Sequence, residues 1–325
     1  MRAQYFIEDD FQQYECAMEK IQLSQRKFLL LPATEIARIV KKKGRPKVGI
    51  FVPDGNRRMT LAFSGLDPQT DEFYSENARM STQYFMGNLK VFFEYGLQTL
   101  FVPLISSNVF ERNEQYQRIS LQEGLNTIFQ HETWLNFYNE YDIRIKVYGD
   151  LNYFKESECE QAIDWIMATQ NYTAKHQTHR LFYGFASPKR IGDELMKLGI
   201  DFYKLHGREP TYDEQVKLYY GEYIEPADFF IMSTKLAGLG ALPPLISGGE
   251  TQLYFLAAPG VMALTQDTYR KILYDYLFCR PDTPHEEYTA HDLSTIESLK
   301  EYYTRQKSTV IGLGRKIGSF WLPSF

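Results

Sequence analysis

Lys47-Val48-Gly49-Ile50-Phe51-Val52-Pro53-Asp54-Gly55-Asn56-Arg57-Arg58-Met59 decides how this chain is read. A short apolar strand ends abruptly in an acid, a glycine and two adjacent arginines. In an open α/β sheet, ligands bind beyond the carboxyl ends of the strands, and a glycine there lets backbone N–H groups approach phosphate oxygens. Arg57 and Arg58 supply planar donor forks suited to phosphate, and Asp54 can hold a divalent cation or a proton. A nucleotide-binding P-loop needs a longer glycine loop closing on Gly-Lys-Ser/Thr, which this stretch lacks, so a diphosphate and not ATP is the expected ligand. The bland alternative is a surface turn with solvated arginines.

The rest of the chain supplies a sheet for that strand. Val48–Val52, Thr99–Leu104, Ile143–Val147, Leu181–Phe185 and Phe229–Met232 read as buried strands, with helices expected near 75–95, 115–139, 156–174, 188–205 and 211–221. Strands separated by helices of that length imply an α/β fold, a single-domain parallel sheet flanked by helices with right-handed crossovers. Residues 1–27 are polar with a loose helical pattern and read as an N-terminal extension. Residues 28–325 form the expected catalytic domain.

Composition excludes several function classes. The 325 residues are 44% hydrophobic and 15% aromatic, with 24 Tyr and 23 Phe, enough rings to line a greasy cavity. A net charge of -5 offers no electrostatic footprint for nucleic acid or an anionic membrane. No apolar run is long enough to span a bilayer and the N-terminus is unlike a signal peptide, so the cytoplasm is the expected compartment. Cys16, Cys159 and Cys279 are too far apart for a disulfide framework or a metal knuckle.

Two further blocks complete a pattern: Tyr219-Tyr220-Gly221-Glu222-Tyr223-Ile224-Glu225-Pro226-Ala227-Asp228-Phe229-Phe230-Ile231-Met232, and Ser247-Gly248-Gly249-Glu250-Thr251-Gln252-Leu253-Tyr254-Phe255-Leu256. With them the chain resembles the cis-prenyltransferases and their undecaprenyl diphosphate synthase-like fold. Asp54-Gly55-Asn56 and Arg58 match that family's first motif, Ser107 and Arg112 its second, and Asp228 with Ser247-Gly248 and Glu250 its third. Met232 and Gln252 stand where the family has arginines for the second, homoallylic diphosphate. The resemblance therefore implies an enzyme that ionises an allylic diphosphate without adding isopentenyl units.

One offshoot of that family has this character, the tuberculosinol/tuberculosinyl-adenosine synthases with the related bacterial kolavelool synthases. The similarity runs from about Phe28 to Leu322, through Asp54-Gly55-x-Arg57-Arg58, Phe93-Glu94-x-Gly96, Tyr148-Gly149-Asp150, Tyr219-Tyr220-Gly221-Glu222-Tyr223 and Arg270-x-Ile272-Leu273-Tyr274-Asp275. It implies a diterpene synthase acting on a bicyclic C20 allylic diphosphate from an upstream class II diterpene cyclase, with water capturing the carbocation. A diterpenyl transferase to adenosine or to another prenyl diphosphate is the first alternative, and a non-catalytic subunit the second. Gly55, Asn56, Arg57, Arg58 and Arg112 are the expected diphosphate cradle. Asp54 is expected to hold Mg2+ or to act as a base. Tyr74 is the expected active-site phenol, with Tyr84 as fallback, and a homodimer is implied by the resemblance alone. Gly312-Leu313-Gly314-Arg315-Lys316-Ile317-Gly318, a superficial dinucleotide fingerprint, reads as a turn because no βαβ unit follows it.

Overall fold

The computed structural model describes residues 24–106, 109–155, 157–186, 188–233, 243–280, 293–318 and 320–323. Within them the chain runs α1 (Gln25–Leu29), α2 (Ala33–Lys43), β1 (Val48–Val52), α3 (Asn56–Phe63), α4 (Asp71–Glu94) and β2 (Thr99–Ser106). A π-helical stretch (Tyr116–Leu121) leads into α5 (Gln122–Gln130), followed by α6 (Glu132–Glu140), β3 (Ile143–Gly149), α7 (Ala162–Thr173) and β4 (His179–Ala186). Then come α8 (Pro188–His206), α9 (Tyr212–Tyr220), β5 (Phe229–Ser233), β6 (Gln252–Leu256), α10 (Gly260–Ala263) and α11 (Gln266–Tyr274). The last elements are α12 (Leu293–Gln306) and a hairpin of β7 (Gly314–Ile317) and β8 (Phe320–Pro323).

Six strands form one sheet in the order β3-β4-β2-β1-β5-β6, and every pairing is parallel. The expected single parallel sheet is thus present. β6 and α3 are additional to the expected elements, and the 115–139 helix is broken at His131, which caps α6 by accepting the Thr133 N–H on Nδ1. The glycine-rich 312–318 segment contributes β7, so the turn expected there is confined to its ends.

Side chains alternate across the pleat. Ile50, Phe101, Phe182, Phe230 and Met232 face one layer, closed by Val216 and Tyr220 of α9 with Ile224 and Ile246. Phe51, Leu100, Val102, Tyr183, Phe229 and Ile231 face the larger layer, filled by Phe85, Leu89 and Phe92 of α4 together with α5, α6 and α11. Gly49 permits this packing, because a β-carbon there would lie 2.6 Å from the Phe229 ring. The chain enters through Phe28, fully buried against Tyr274 and Phe278 at ring separations of 5.6 and 5.7 Å.

β1 and β5 are neighbours, and the connection leaving β1 runs to β2 on one side while that leaving β5 runs to β6 on the other, so the two depart the carboxyl edge in opposite directions. That arrangement opens a crevice beyond Val52, the usual ligand position in such sheets. Among the described residues, no helix is long and apolar enough to cross a membrane.

Candidate functional site

The crevice begins where β1 stops. Gly55 takes a left-handed backbone (φ 94°) and serves as the N-cap of α3, so the chain turns directly from strand into helix. Its N–H donates to Asp54 Oδ1 at 2.6 Å, holding the carboxylate beside the helix start. The Asp54 carbonyl accepts from the Gly260 N–H at 2.8 Å and from Ser233 Oγ at 2.9 Å, which ties the turn to α10 and to the end of β5. No side chain caps α3 and no acid lies in its first turn, so an anionic ligand at the positive end of its dipole would share that end with the Asp54 carboxylate. A β-carbon on Gly55 would stand 3.1 Å from Arg58 Nη2 and from Pro259, so the Arg58 guanidinium folds back over the glycine.

Two more cations converge there. The Arg57 guanidinium lies 5.3 Å from the Tyr116 ring centroid and that of Arg112 lies 4.6 Å from the same ring. Burial, and then the Arg112 charge, lower the Arg57 pKa, with Tyr116, Tyr74 and Asp54 opposing the shift. Like charges brought to one ring in a partly desolvated place are unfavourable in isolation and favourable around a polyanion.

Behind the cations is a cavity of about 100 Å³ whose apolar wall is made by Phe85, Leu104, Ile105, Val109, Leu125 and Val261. Its polar lining is concentrated where α3, α4 and the π-helical stretch meet. Asn77 Nδ2 donates to Thr60 Oγ1 at 2.9 Å, Thr60 Oγ1 donates to the Asn56 carbonyl at 3.2 Å, and Ser120 Oγ donates to Asn77 Oδ1 at 2.6 Å. Tyr116 presents its ring to the same space. Tyr116 and Ser120, four residues apart on the π-helical stretch and so on one face of it, both line this wall.

The structure brings Asp54, Gly55, Asn56, Arg57, Arg58 and Arg112 together at one end of the sheet. Tyr74 is close to Arg57 but is not part of the cavity wall. It is buried with Phe73 and Ile119, and its hydroxyl accepts from Asn113 Nδ2 at 2.8 Å. The phenol facing the cavity is Tyr116, which sequence spacing did not single out. Tyr84 points elsewhere, into a separate cleft with Arg79, Met80 and Thr265, because it lies on another face of α4.

The residues that match the third motif lie elsewhere in the sheet. Asp228 sits at the opposite, amino-terminal edge of the sheet, 5% exposed. It accepts from the backbone N–H groups of Lys47 (2.7 Å) and Val48 (2.9 Å), from Arg45 Nε (3.1 Å) and from the Tyr276 hydroxyl (2.5 Å). Ser247, Gly248 and Glu250 are at that same edge, since Thr251 Oγ1 donates to the Ala227 carbonyl and the Gln252 N–H to that of Asp228. These residues are the structural anchor of β1, β5 and β6, and they are distant from Asp54 because parallel strands carry their two ends to opposite edges. Gln252 shares that edge, and Met232 is buried in the sheet's second layer, so neither position offers a cation to a second diphosphate. Ser107 and residues 1–23 lie outside the described residues.

Among the described residues, no three histidines, cysteines or acids cluster as metal ligands. Asp54, between the cavity-lining Pro53 and Asn56 and close to Arg57, offers one carboxylate, and one carboxylate together with substrate phosphate oxygens is a normal way to hold magnesium.

Known proteins share both sequence and fold with this chain. Tuberculosinyl adenosine transferase of Mycobacterium tuberculosis (strain CDC 1551 / Oshkosh) is 31% identical over 305 residues, covering 92% of this chain and 98% of that protein. The (+)-kolavelool synthase of Herpetosiphon aurantiacus is 25% identical over 302 residues, 91% of this chain and 94% of that protein. A crystal structure of lavandulyl diphosphate synthase from Lavandula x intermedia, in complex with dimethylallyl diphosphate, superposes with a TM-score of 0.54. It covers 73% of this chain and 96% of that one at 15% identity, a likeness of fold. No family model matches the chain.

Proposed function

Since the chain belongs to the family of tuberculosinyl adenosine transferase, terpene enzymes built on the cis-prenyltransferase fold, we propose that it ionises a bicyclic C20 allylic diphosphate and captures the cation with water. The product is a tertiary diterpene alcohol of the kolavelool or tuberculosinol type. The observation that carries this reading is the pair of guanidiniums on the Tyr116 ring, set at the uncapped start of α3 and opening onto an apolar cavity. One end of the site suits a polyanion and the other a hydrocarbon.

The chemistry follows from that polarity. Heterolysis of the C–O bond leaves both electrons on the diphosphate, so its transition state is favoured by donors already aimed at the leaving group. Arg57, Arg58 and Arg112 supply charge, while the first turn of α3 supplies backbone N–H groups with Gly55 keeping the approach open. Magnesium held by Asp54 would neutralise further charge on the leaving group. Tyr116, which lines the cavity and carries the two guanidiniums, would stand at the junction between the leaving group and the hydrocarbon. Buried Met232 supports a chemistry other than chain elongation, because a second diphosphate finds no arginine there.

The relation to an adenosine transferase supports a second reading, in which a nucleoside replaces water as acceptor. We place the protein downstream of a class II diterpene cyclase and expect it to act as a homodimer.

The test is incubation of purified protein and magnesium with linear and bicyclic C20 allylic diphosphates, with and without adenosine or isopentenyl diphosphate. Pyrophosphate release and product mass are followed. A C20 alcohol from a bicyclic substrate alone supports hydrolysis. A product heavier by adenosine or a prenyl unit replaces that reading with transfer, and no pyrophosphate release from any substrate refutes both.

A further inference from the structure

The cavity wall contains two buried oxygens that make no hydrogen bond to any described residue, Asn56 Oδ1 and Ser81 Oγ. An unsatisfied buried oxygen is unfavourable, so each orphan in this wall calls for a partner that the described residues do not provide. The two sit in related places. Asn77 on α4 is bonded to Thr60 on α3; Asn56 is one helical turn before Thr60, and Ser81 is one turn after Asn77. Residues four apart share a helix face, so the Thr60–Asn77 bond sets Asn56 and Ser81 beside each other on the same wall.

The groups around them are fully engaged. Asn77 Oδ1 is taken by Ser120, Thr60 Oγ1 by the Asn77 amide, and the neighbouring Thr82 hydroxyl turns back onto the Ala78 carbonyl at 2.9 Å. Phe85, Leu125, Ile128 and Val261 close the apolar side.

We infer that Asn56 Oδ1 and Ser81 Oγ together hold one water molecule in the cavity, and that this water is the nucleophile that sets the product as an alcohol. A buried water needs two to four polar partners. Two are present here: it donates one hydrogen to Asn56 Oδ1 and the other to Ser81 Oγ. Its lone pairs then face the hydrocarbon side, the orientation required to attack a carbocation. Attack forms the C–O bond from a water lone pair, and the oxonium proton passes to the departed diphosphate or to solvent. Without a held water the same cation loses a proton from an adjacent carbon to the diphosphate and becomes an olefin. Ser81 is thus a specificity-determining residue and Asn56 a positioning one, an assignment that rests on the proposed ionisation chemistry only for its product consequence.

The experiment has two arms. A crystal structure of the free protein at better than about 2 Å resolution should show an ordered water within hydrogen-bond distance, about 3.2 Å, of both oxygens; the Ser81→Ala protein should lack it. A dry site in the wild type overturns the inference. In the second arm, alcohol and olefin are quantified per diphosphate released, for wild type, Ser81→Ala and the equal-shaped pair Ser81→Thr and Ser81→Val. Alcohol-to-olefin ratios should fall at least tenfold in the Ala and Val proteins and stay near wild type in the Thr protein. An unchanged ratio in Ser81→Ala, or equal ratios in the Thr and Val pair, overturns the inference. If Ser81→Ala does not fold, the Thr and Val pair decides. If the wild type releases no diphosphate from any substrate, the functional reading fails while the crystallographic arm still decides the water site.

Discussion

Replacing Arg112 by alanine should move stability and anion affinity independently. The Arg57 and Arg112 guanidiniums are 5.3 and 4.6 Å from one ring centroid, and the two legs added place them at most about 10 Å apart. At that largest separation two unit charges repel by about 1.7 kcal/mol at an effective dielectric constant near 20, and by about 0.6 kcal/mol if fully screened over one Debye length, so the repulsion is at least about 0.6–1.7 kcal/mol. Removing Arg112 relieves that repulsion and forfeits a cation–π contact of about 0.5–1 kcal/mol. The two nearly cancel, so the melting temperature without ligand should shift by no more than about 4 °C. Pyrophosphate instead loses a charge-assisted donor at a cost of about 2 kcal/mol, roughly a thirtyfold rise in Kd. The assay is thermal melting with and without pyrophosphate, with calorimetry for Kd. At a pyrophosphate concentration about 100 times the wild-type Kd, ligand stabilisation should drop from about 2.7 to about 0.9 kcal/mol. A lowered melting temperature with unaltered pyrophosphate affinity would refute the argument and make Arg112 a packing residue.

Asp54→Asn should abolish turnover and leave the melting curve unchanged, since the side chain is exposed at a strand end; near-wild-type rates would remove the carboxylate from the chemistry. Asp228→Ala should behave in the opposite way. It strands the buried Lys47 and Val48 N–H groups, for a loss of about 2–5 kcal/mol in chemical denaturation, while the folded fraction keeps its rate per molecule. Reduced kcat at full folding would return Asp228 to the active site. His179 supplies a pH dependence: its ring contacts the Leu97 carbonyl at 2.9 Å through Nδ1 and packs on Phe93, and burial lowers its pKa below the ordinary value of 6.5. A depressed histidine contributes stability that is full above the unfolded pKa and lost as pH falls from there through the lower folded pKa. Melting temperature should therefore decline as pH falls below about 6.5, less steeply in His179→Gln, and a decline equal in both proteins would place its cause elsewhere.

Legibility differed between fold and site for reasons visible in particular residues. The strands from Val48 to Met232 announced themselves because a parallel sheet covered on both faces needs short, wholly apolar runs, and these were continuous in sequence. β6 escaped notice since Gln252 to Leu256 alternates in burial at the sheet's edge. The eight residues of α3 were hidden by Arg57 and Arg58, whose polarity resembles a loop although Gly55 starts a helix there. Tyr116, Asn77 and Ser120 carried no motif at all. Asn77 and Ser120 could have been flagged only as polar residues within helices expected to be amphipathic.

Local chemistry in the chain determined the strand–acid–glycine–arginine turn, the parallel α/β class and the family, because each depends on residues adjacent in sequence or on a pattern repeated along it. Which residues share a site depended on where strands end in space. Strand direction carried Ser247, Gly248 and Glu250 to the edge opposite Asp54, although their order along the chain matched a motif. Helix phase turned Tyr84 away from the cavity and Asn77 and Ser81 towards it, ten residues and less apart on one helix. Arg57 and Arg112, separated by a strand and a long helix, meet on Tyr116 only because β1 and β2 are neighbours and release their chains at the same edge of the sheet.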